Sequence, residues 1–383
     1  MMEWKSTADV VVIGGGIIGA STAYYLAKLG AGNISLIEKD TICGGSTGRC
    51  GAGIRAQWGT EMNCRLGMAA LDIFERLEDE LGMPIGLNQG GYLLVAYNEK
   101  EVATLRKGME LQNSLGIRSR MVTLAEARGI CPGLAADDAA GFFFHARDGH
   151  ADPFLTTFAY LEAAKKLGVA CYRHTTCTGV SVEKGVVQGV ETDRGRISAP
   201  IVINCAGPYA QFIARMAGIE IPNWAERHEI MITEPVAPGI CPCMLMSFSG
   251  NYYIQQRPHG SIICGMSPEG HPEDYEKRTT WQFLEAMSKI LVRLLPRTKG
   301  IRIARQWSGM YDMTPDAQPI IGETEVKNFY HSTGYSGHGF MLGPVAGRIL
   351  AQHITGRRPD IDISMLDYRR FARGEHILES NVV

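Results

Sequence analysis

A tight glycine turn between a buried strand and a helix narrows the choice of folds more than any other feature of this sequence. Residues 9–13 (DVVVI) read as a buried parallel strand, 17–29 as a helix and 34–38 as a second strand, a βαβ unit at the start of the chain. Between the first strand and the helix lies Gly14-x-Gly16-x-x-Gly19. The first glycine makes the turn, the second lets a pyrophosphate approach, and the third lets the helix pack on the strand. The amides of the helix start, from Ile17 on, then face the phosphates. Glu38, followed by Lys39, closes the second strand where an acid can accept bonds from ribose hydroxyls. A carboxylate there disfavours a 2′-phosphate and therefore NADP. The competing reading is a glycine turn in an unrelated α/β fold.

Beyond this unit the periodicity predicts a helix over 61–81, a strand over 92–97 and a helix over 99–115. Asp152-Pro153 is a helix start, with Asp at the N-cap and Pro at the first helical position, and this helix runs to Leu167. Short strands follow near 169–172, 178–183 and 186–192. Another buried strand, 201–204, leads into Cys205-Ala206-Gly207-Pro208 and a helix over 209–217. Residues 222–318 are rich in strand and turn signals, broken by a helix near 280–294. The end returns to the opening pattern, with a strand at 328–333, a glycine-rich turn and a helix from about 341 to 354. The expected class is α/β: a Rossmann-like nucleotide-binding domain from 1–82, 148–221 and 319–383. Interleaved with it is a second, mainly antiparallel-sheet domain from 83–147 and 222–318.

With 383 residues the chain suits two domains that share a core. A net charge of −2 with scattered Lys and Arg leaves no electrostatic footprint for nucleic acid or an anionic membrane. The apolar run 10–29 lacks a basic leader and carries its glycines where a turn belongs, so no transmembrane segment or signal peptide is expected. The ten cysteines are irregularly spaced, and Cys241-Pro242-Cys243 reads as a loop. No zinc or iron–sulfur ligand set is visible, so no metal is expected, and free buried thiols in a reducing cytoplasm fit best.

The fingerprint serves NAD and FAD alike. Two features favour FAD. The loop Gly44-Gly45-Ser46-Thr47-Gly48-Arg49 follows the acid closely and can track a long cofactor. A further segment, Gly334-Tyr335-Ser336-Gly337-His338-Gly339-Phe340, precedes the last helix, whose positive end can lie against the edge of a flavin where reduction develops negative charge. A second GxGxxG is absent, so electrons are expected to come directly from substrate.

With these residues in view, the chain resembles the D-amino-acid oxidase superfamily of flavoenzymes, and in it the β subunits of sarcosine oxidase and of dye-linked L-proline dehydrogenase. The carrying stretches are Gly14–Ser21, STGRCGAGIR (46–55), DGHADP (148–153), YDMTPDAQPIIG (311–322) and GYSGHGF (334–340). The resemblance implies FAD, a two-domain fold, and oxidation of a primary or secondary α-amino acid to an imine that water hydrolyses. It also implies partner subunits carrying FMN or an iron–sulfur cluster, or an electron carrier. Three departures stand out. Where monomeric sarcosine oxidases place the cysteine that binds flavin covalently stands Gly309, and where they place a carboxylate-binding lysine stands Met341. The position that carries covalent FMN in heterotetrameric sarcosine oxidase aligns with Ala151, with His150 one place off. FAD is thus expected to be non-covalent, with FMN at a subunit interface left open.

Arg55, at the family's position after the STGR loop, is the first candidate for the substrate carboxylate, since its guanidinium fork can bind one bidentately; a flavin-phosphate contact or a surface arginine is the alternative. Strand alternation lets only one of Tyr252 and Tyr253 face a site, and the resemblance implies Tyr253 as the pocket tyrosine, with a core aromatic as the alternative. His259 is a pocket residue or a turn histidine. His338 sits close to the flavin or serves the turn. Gly334, Gly337, Gly339, Phe340 and Met341 on the last turn, and Ser46, Thr47, Arg49 and Gly207, complete the cofactor side. Asp316 and Pro315 hold a loop. The expected reaction is hydride transfer to flavin N5 from a small amino acid such as L-proline, hydroxyproline or sarcosine. Rival readings are a peroxide-forming oxidase, an electron-relay subunit inactive alone, and an NAD-dependent dehydrogenase.

Overall fold

The computed structural model describes residues 3–267, 273 and 275–379. Its first sheet has six strands in the order Ile320–Glu323, Phe329–Thr333, Ile201–Asn204, Val10–Ile13, Ile34–Ile37, Ala170–Tyr172. All neighbours are parallel except the first pair, which is antiparallel. Val10–Ile13 lies near the middle and is buried along its whole length, as expected of a strand covered on both faces. The fingerprint helix, Ile17–Lys28, packs against the last helix, Gly339–Ile354. Ser21 Oγ donates to Gly343 O at 3.2 Å, and a Cβ on Gly347 would stand 2.8 Å from Thr22 N. The two backbones can approach this closely only because position 347 has no side chain.

The second sheet has eight strands, in the order Ile303–Met313, Trp224–Thr233, Ile262–Met266, Tyr252–Gln256, Met244–Ser247, Tyr92–Ala96, Gly141–His145, Arg120–Val122. It is antiparallel apart from the parallel pair Met244–Ser247 and Tyr92–Ala96, where two distant stretches of sequence meet. The mixed architecture is the one the sequence predicts: a parallel nucleotide-binding sheet beside an antiparallel one. One face of the second sheet packs on helices Trp281–Leu294 and Leu124–Ile130 around Phe283, Met287, Leu291 and Ala127. The short helix escapes sequence periodicity, although its capping box, Thr123 with Glu126, is a recognisable start signal. The last helix begins at Gly339, two residues earlier than its pattern suggests, with His338 at the N-cap.

Alternation settles the paired tyrosines. Tyr252 enters the helix-covered core and its hydroxyl lies 2.9 Å from Tyr97 Oη, whereas Tyr253 points to the opposite face, toward the other sheet. Among the described residues no helix is long and apolar enough to cross a membrane.

Cys241-Pro242-Cys243 lies in a loop, as its sequence suggests, and the fold brings a third cysteine to it. Behind the second sheet, Cys131 joins Cys241 and Cys243, and the three sulfurs lie within 4.8 Å of one another. Spacing along the chain hides this set because Cys131 comes from the far end of the helix Leu124–Ile130, more than a hundred residues away.

Candidate active site

A deep cleft runs from the fingerprint turn to the inner face of the second sheet and measures about 2100 Å³ including its mouth. Its lining runs from Gly14, Glu38 and Thr47 at one end to Arg55, Tyr253 and His338 at the other, a length that suits an extended cofactor together with a substrate.

Backbone shape governs the cofactor end. Gly14 adopts φ +116°, and a Cβ there would stand 2.4 Å from Cys205 O. Gly16 lies against Thr47, whose Oγ1 accepts the amide of Ile17 at 3.2 Å, so Thr47 stands at the positive end of the helix. Glu38 is fixed beside the turn: its Oε2 accepts from Gly15 N at 2.7 Å and its Oε1 from Asp40 N at 2.8 Å. Lys39 Nζ lies 3.1 Å from the centre of the Tyr209 ring, and burial lowers its pKa. Ser46 Oγ donates to Met310 O at 2.6 Å and Arg49 Nη1 to Ser308 O at 3.0 Å, stitching this loop to the long strand of the other sheet. Gly207, at φ +55°, lines the opposite wall.

At the far end Arg55 follows the short strand Gly53–Ile54, which pairs with Gly149–His150. Its position is set from behind by Asp148. This buried carboxylate accepts from Ala56 N at 2.8 Å, from Gln57 Nε2 at 3.2 Å, and pairs with His145 Nδ1 at 2.7 Å. The guanidinium is itself buried, donates through Nη1 to Gln57 O at 2.5 Å, and lies 3.8 Å from the Trp58 ring centre. Its Nη2 reaches His338 Nε2 at 3.4 Å. Burial, with the Arg55 charge in support, pushes the His338 pKa down to about 3. A neutral imidazole can accept this bond, with its proton on Nδ1. The Tyr253 ring occupies a slot between Gly51 and Gly265, where a Cβ would meet the ring at 2.8 and 2.4 Å. Burial raises its pKa well above normal, so the phenol keeps its proton and can donate.

The cradle fits a dinucleotide: two glycines leave backbone open, an acid is held beside the turn, and a helix start is capped by one hydroxyl. Residues 9–353 match the family described as DAO, FAD dependent oxidoreductase. The chain belongs to this family. The mitochondrial sarcosine dehydrogenase of Mus musculus is 30% identical over 96% of this DAO chain, which spans only 42% of that protein's length. Sarcosine oxidase subunit beta of Rhodobacter capsulatus is 27% identical over 99% of the chain and 92% of its own length. Among solved structures, L-proline dehydrogenase from P. horikoshii superposes with a TM-score of 0.94 at 35% identity, covering 98% of this chain and 100% of that one.

Within this DAO fold the other candidates fall as follows. Gly337, His338, Gly339, Phe340 and Met341 line the cleft at the start of the last helix. Gly337 has φ +90° and lies on the Tyr311 ring. Two glycines act one step back from the cavity wall. A Cβ on Gly19 would stand 1.9 Å from Gly14 O, so its absence is what lets helix and strand meet. Gly334, at φ +75°, donates its amide to Asp312 at 2.5 Å. His259 is not brought to the cleft: it is exposed in the turn between Tyr252–Gln256 and Ile262–Met266, past the end of the first strand and before the start of the second. His150 is buried between Arg257 Nη1 at 3.1 Å and Asn88 Nδ2 at 3.3 Å, and burial pushes its pKa down to about 3. A Cβ at Gly309 would stand 3.0 Å from Arg49 Cβ. Asp316 is held in a buried two-point pair with Arg370, at 2.9 Å for each contact.

Several cleft residues escape sequence reasoning. Tyr92 lies on Gly53, and Tyr311 stacks on His228 with ring centres 3.5 Å apart. Buried Asp312 accepts from Asn223, Thr333 and Gly334, and burial lifts its carboxyl above the usual range. The YDM stretch holding Tyr311 and Asp312 carries a family signal; Tyr92 and Trp58 carry none.

Proposed function

We propose that this chain is an FAD-dependent dehydrogenase that oxidises the Cα–N bond of a small amino acid, a secondary amine such as L-proline, hydroxyproline or sarcosine. The observation that carries the reading is the buried Arg55 guanidinium at the end of a dinucleotide cleft, flanked by a neutral His338 and a protonated Tyr253.

Gly14, Gly16, Ile17, Glu38, Lys39, Ser46, Thr47, Arg49, Gly207 and the turn from Gly334 to Met341 would hold FAD, with Gly19 supporting them. Bound FAD supplies a two-electron acceptor for the α-hydrogen, at N5. Arg55 binds the substrate carboxylate, where a charge-assisted bond is strong because water is excluded. The Tyr253 hydroxyl donates to the same carboxylate or shapes the amine pocket. His338 stays uncharged, so it does not repel a substrate nitrogen, and it steadies Arg55 by accepting from Nη2. The start of the last helix turns its positive end toward the cleft. No carboxylate or thiol needs to act as a strong base if the amine binds deprotonated.

The same reading gives the interleaved segments 1–82, 148–221 and 319–383 to the cofactor and 83–147 and 222–318 to the substrate. Met341, in place of a lysine, supports transfer of electrons to a partner subunit or carrier rather than to oxygen, with FMN at a subunit contact as one such partner.

The test is spectroscopic. The purified protein, loaded with FAD, is mixed without oxygen with L-proline, hydroxyproline, sarcosine and glycine in turn. Bleaching of the flavin band near ~450 nm is the expected result and names the substrate. A yellow protein that no amino acid bleaches would favour a relay subunit. Fast reoxidation by air would favour a peroxide-forming oxidase.

A further inference from the structure

The cluster Cys131–Cys241–Cys243 lies on the opposite face of the second sheet from the cleft, and the proposed reaction does not use it. All three side chains are buried, Cys131 and Cys241 fully and Cys243 at 1% exposure. Cys131 caps the end of helix Leu124–Ile130, its amide donating to Ala127 O at 2.8 Å. Cys241 and Cys243 flank Pro242 in the loop before Met244–Ser247, where alternate residues can turn the same way. The Sγ atoms of Cys131 and Cys241 are 3.9 Å apart, and all three sulfurs fall within 4.8 Å of one another.

That spacing is the observation that matters. A metal–sulfur bond of about 2.3 Å places thiolates in a tetrahedral site about 3.8 Å apart, and in a planar three-sulfur site about 4.0 Å apart. The Cys131–Cys241 distance falls between the two, so small rotations of Cys243 would complete the set. The loop is also held in place by its surroundings. Gln256 Oε1 accepts from Ile240 N at 2.9 Å and from Cys241 N at 3.3 Å, while its Nε2 donates to Ala237 O and Gly260 O at 2.9 Å each. Supporting bonds that fix ligand-bearing backbone are what a preorganised metal site requires.

We propose that Cys131, Cys241 and Cys243 bind one thiophilic d10 cation, Zn2+ or Cu+, and that the ion clips helix Leu124–Ile130 to the second sheet. An all-sulfur set in an apolar setting selects soft ions over Mg2+, Ca2+ or Mn2+. Cu+ is satisfied by three sulfurs. Zn2+ would draw a fourth ligand from a neighbouring backbone carbonyl; Cys243 O lies 3.4 Å from Cys241 Sγ and Ile240 O 3.8 Å from Cys131 Sγ. Thiol protons leave as the ion binds, and no electron is transferred. The site stands independently of the flavin reading, because it shares no residue with the cleft.

The experiment uses the full chain purified anaerobically with its flavin. Elemental analysis is expected to find about one equivalent of zinc or copper per chain, in wild type and in Cys171→Ala, whose thiol lies in the other sheet. Cys131→Ala is expected to lose it. Removing the ion from wild type with a strong chelator should lower Tm on the order of 5 °C, with recovery when Zn2+ or Cu+ is restored. This second measurement needs no variant. Zinc or copper in the site each support the proposal and decide between the two ions. Less than a tenth of an equivalent after incubation with either ion, with Tm unmoved, overturns it and leaves a packed thiol core. A disulfide within the cluster in the anaerobic protein overturns it as well.

Discussion

Arg55 is a charge taken out of water, and that alone costs several kcal/mol unless something offsets it. The Trp58 face, the Gln57 carbonyl and the His338 ring each contribute part of the offset. If Arg55 binds the substrate carboxylate as proposed, that contact adds to the offset, and affinity and position become two aspects of one interaction. Replacing Arg55 with Met should raise KM for the amino acid on the order of 100-fold, or about 2.7 kcal/mol, with flavin absorbance retained. An unchanged KM would remove Arg55 from carboxylate binding. His338 sharpens the point. Because its imidazole is neutral far below the usual histidine range, the pH profile of substrate affinity should show no step near pH 6.5 that His338→Asn abolishes. The candidacies of Arg55 and Tyr253 come from the resemblance of their stretches to the family, with strand alternation separating Tyr253 from Tyr252. The role of Asp148 as the anchor of Arg55 was not legible: nothing near residue 148 announces that its oxygens serve residues 56 and 57, which only the pairing of Gly53–Ile54 with Gly149–His150 brings within reach.

At the scale of elements, glycine and capping determine which helices can meet. Gly347 faces Thr22 N at a distance no side chain tolerates. Gly347→Val should therefore force apart the fingerprint helix and the last helix, costing about 1–3 kcal/mol and weakening flavin retention, read by thermal denaturation and by dilution of the holoprotein. A different device starts helix Glu61–Leu81. The Glu379 carboxylate, more than three hundred residues away, accepts from Gly59 N at 2.7 Å, Thr60 N at 3.1 Å and Asn63 Nδ2 at 2.9 Å. Glu379→Ala should destabilise by about 1–2 kcal/mol, and Glu379→Gln by less, in denaturant unfolding. Sequence periodicity placed this helix but could not show what caps it, because the cap is a contact across almost the whole chain. The same limit hid the third cysteine beside Cys241 and Cys243.

At the scale of the molecule, three histidines are held neutral by burial. His150, His331 and His338 each have a pKa pushed down to about 3, against about 6.5 in an unfolded chain. Between those values the unfolded state takes up protons that the native state refuses, so stability rises with pH in that window and is lost as pH falls below about 6.5. Tm should therefore drop steadily from pH 6.5 toward pH 4, and His331→Asn, if it folds, should flatten the curve. The broad plan was legible because both sheets announce themselves by period and by glycine punctuation. Their stitching was visible only as alternating stretches of pattern, since strand order is a property of pairing and not of any one segment.

The fingerprint strand carries a consequence for biosynthesis. Its neighbours are Ile34–Ile37 on one side and Ile201–Asn204 on the other, and beyond the latter lies Phe329–Thr333. A ribosome that has released only the first hundred and fifty residues has made the phosphate turn, but not the wall that closes the cleft. Flavin uptake thus waits until Phe329–Thr333 and the turn that follows it have been made, however early the phosphate turn itself is finished.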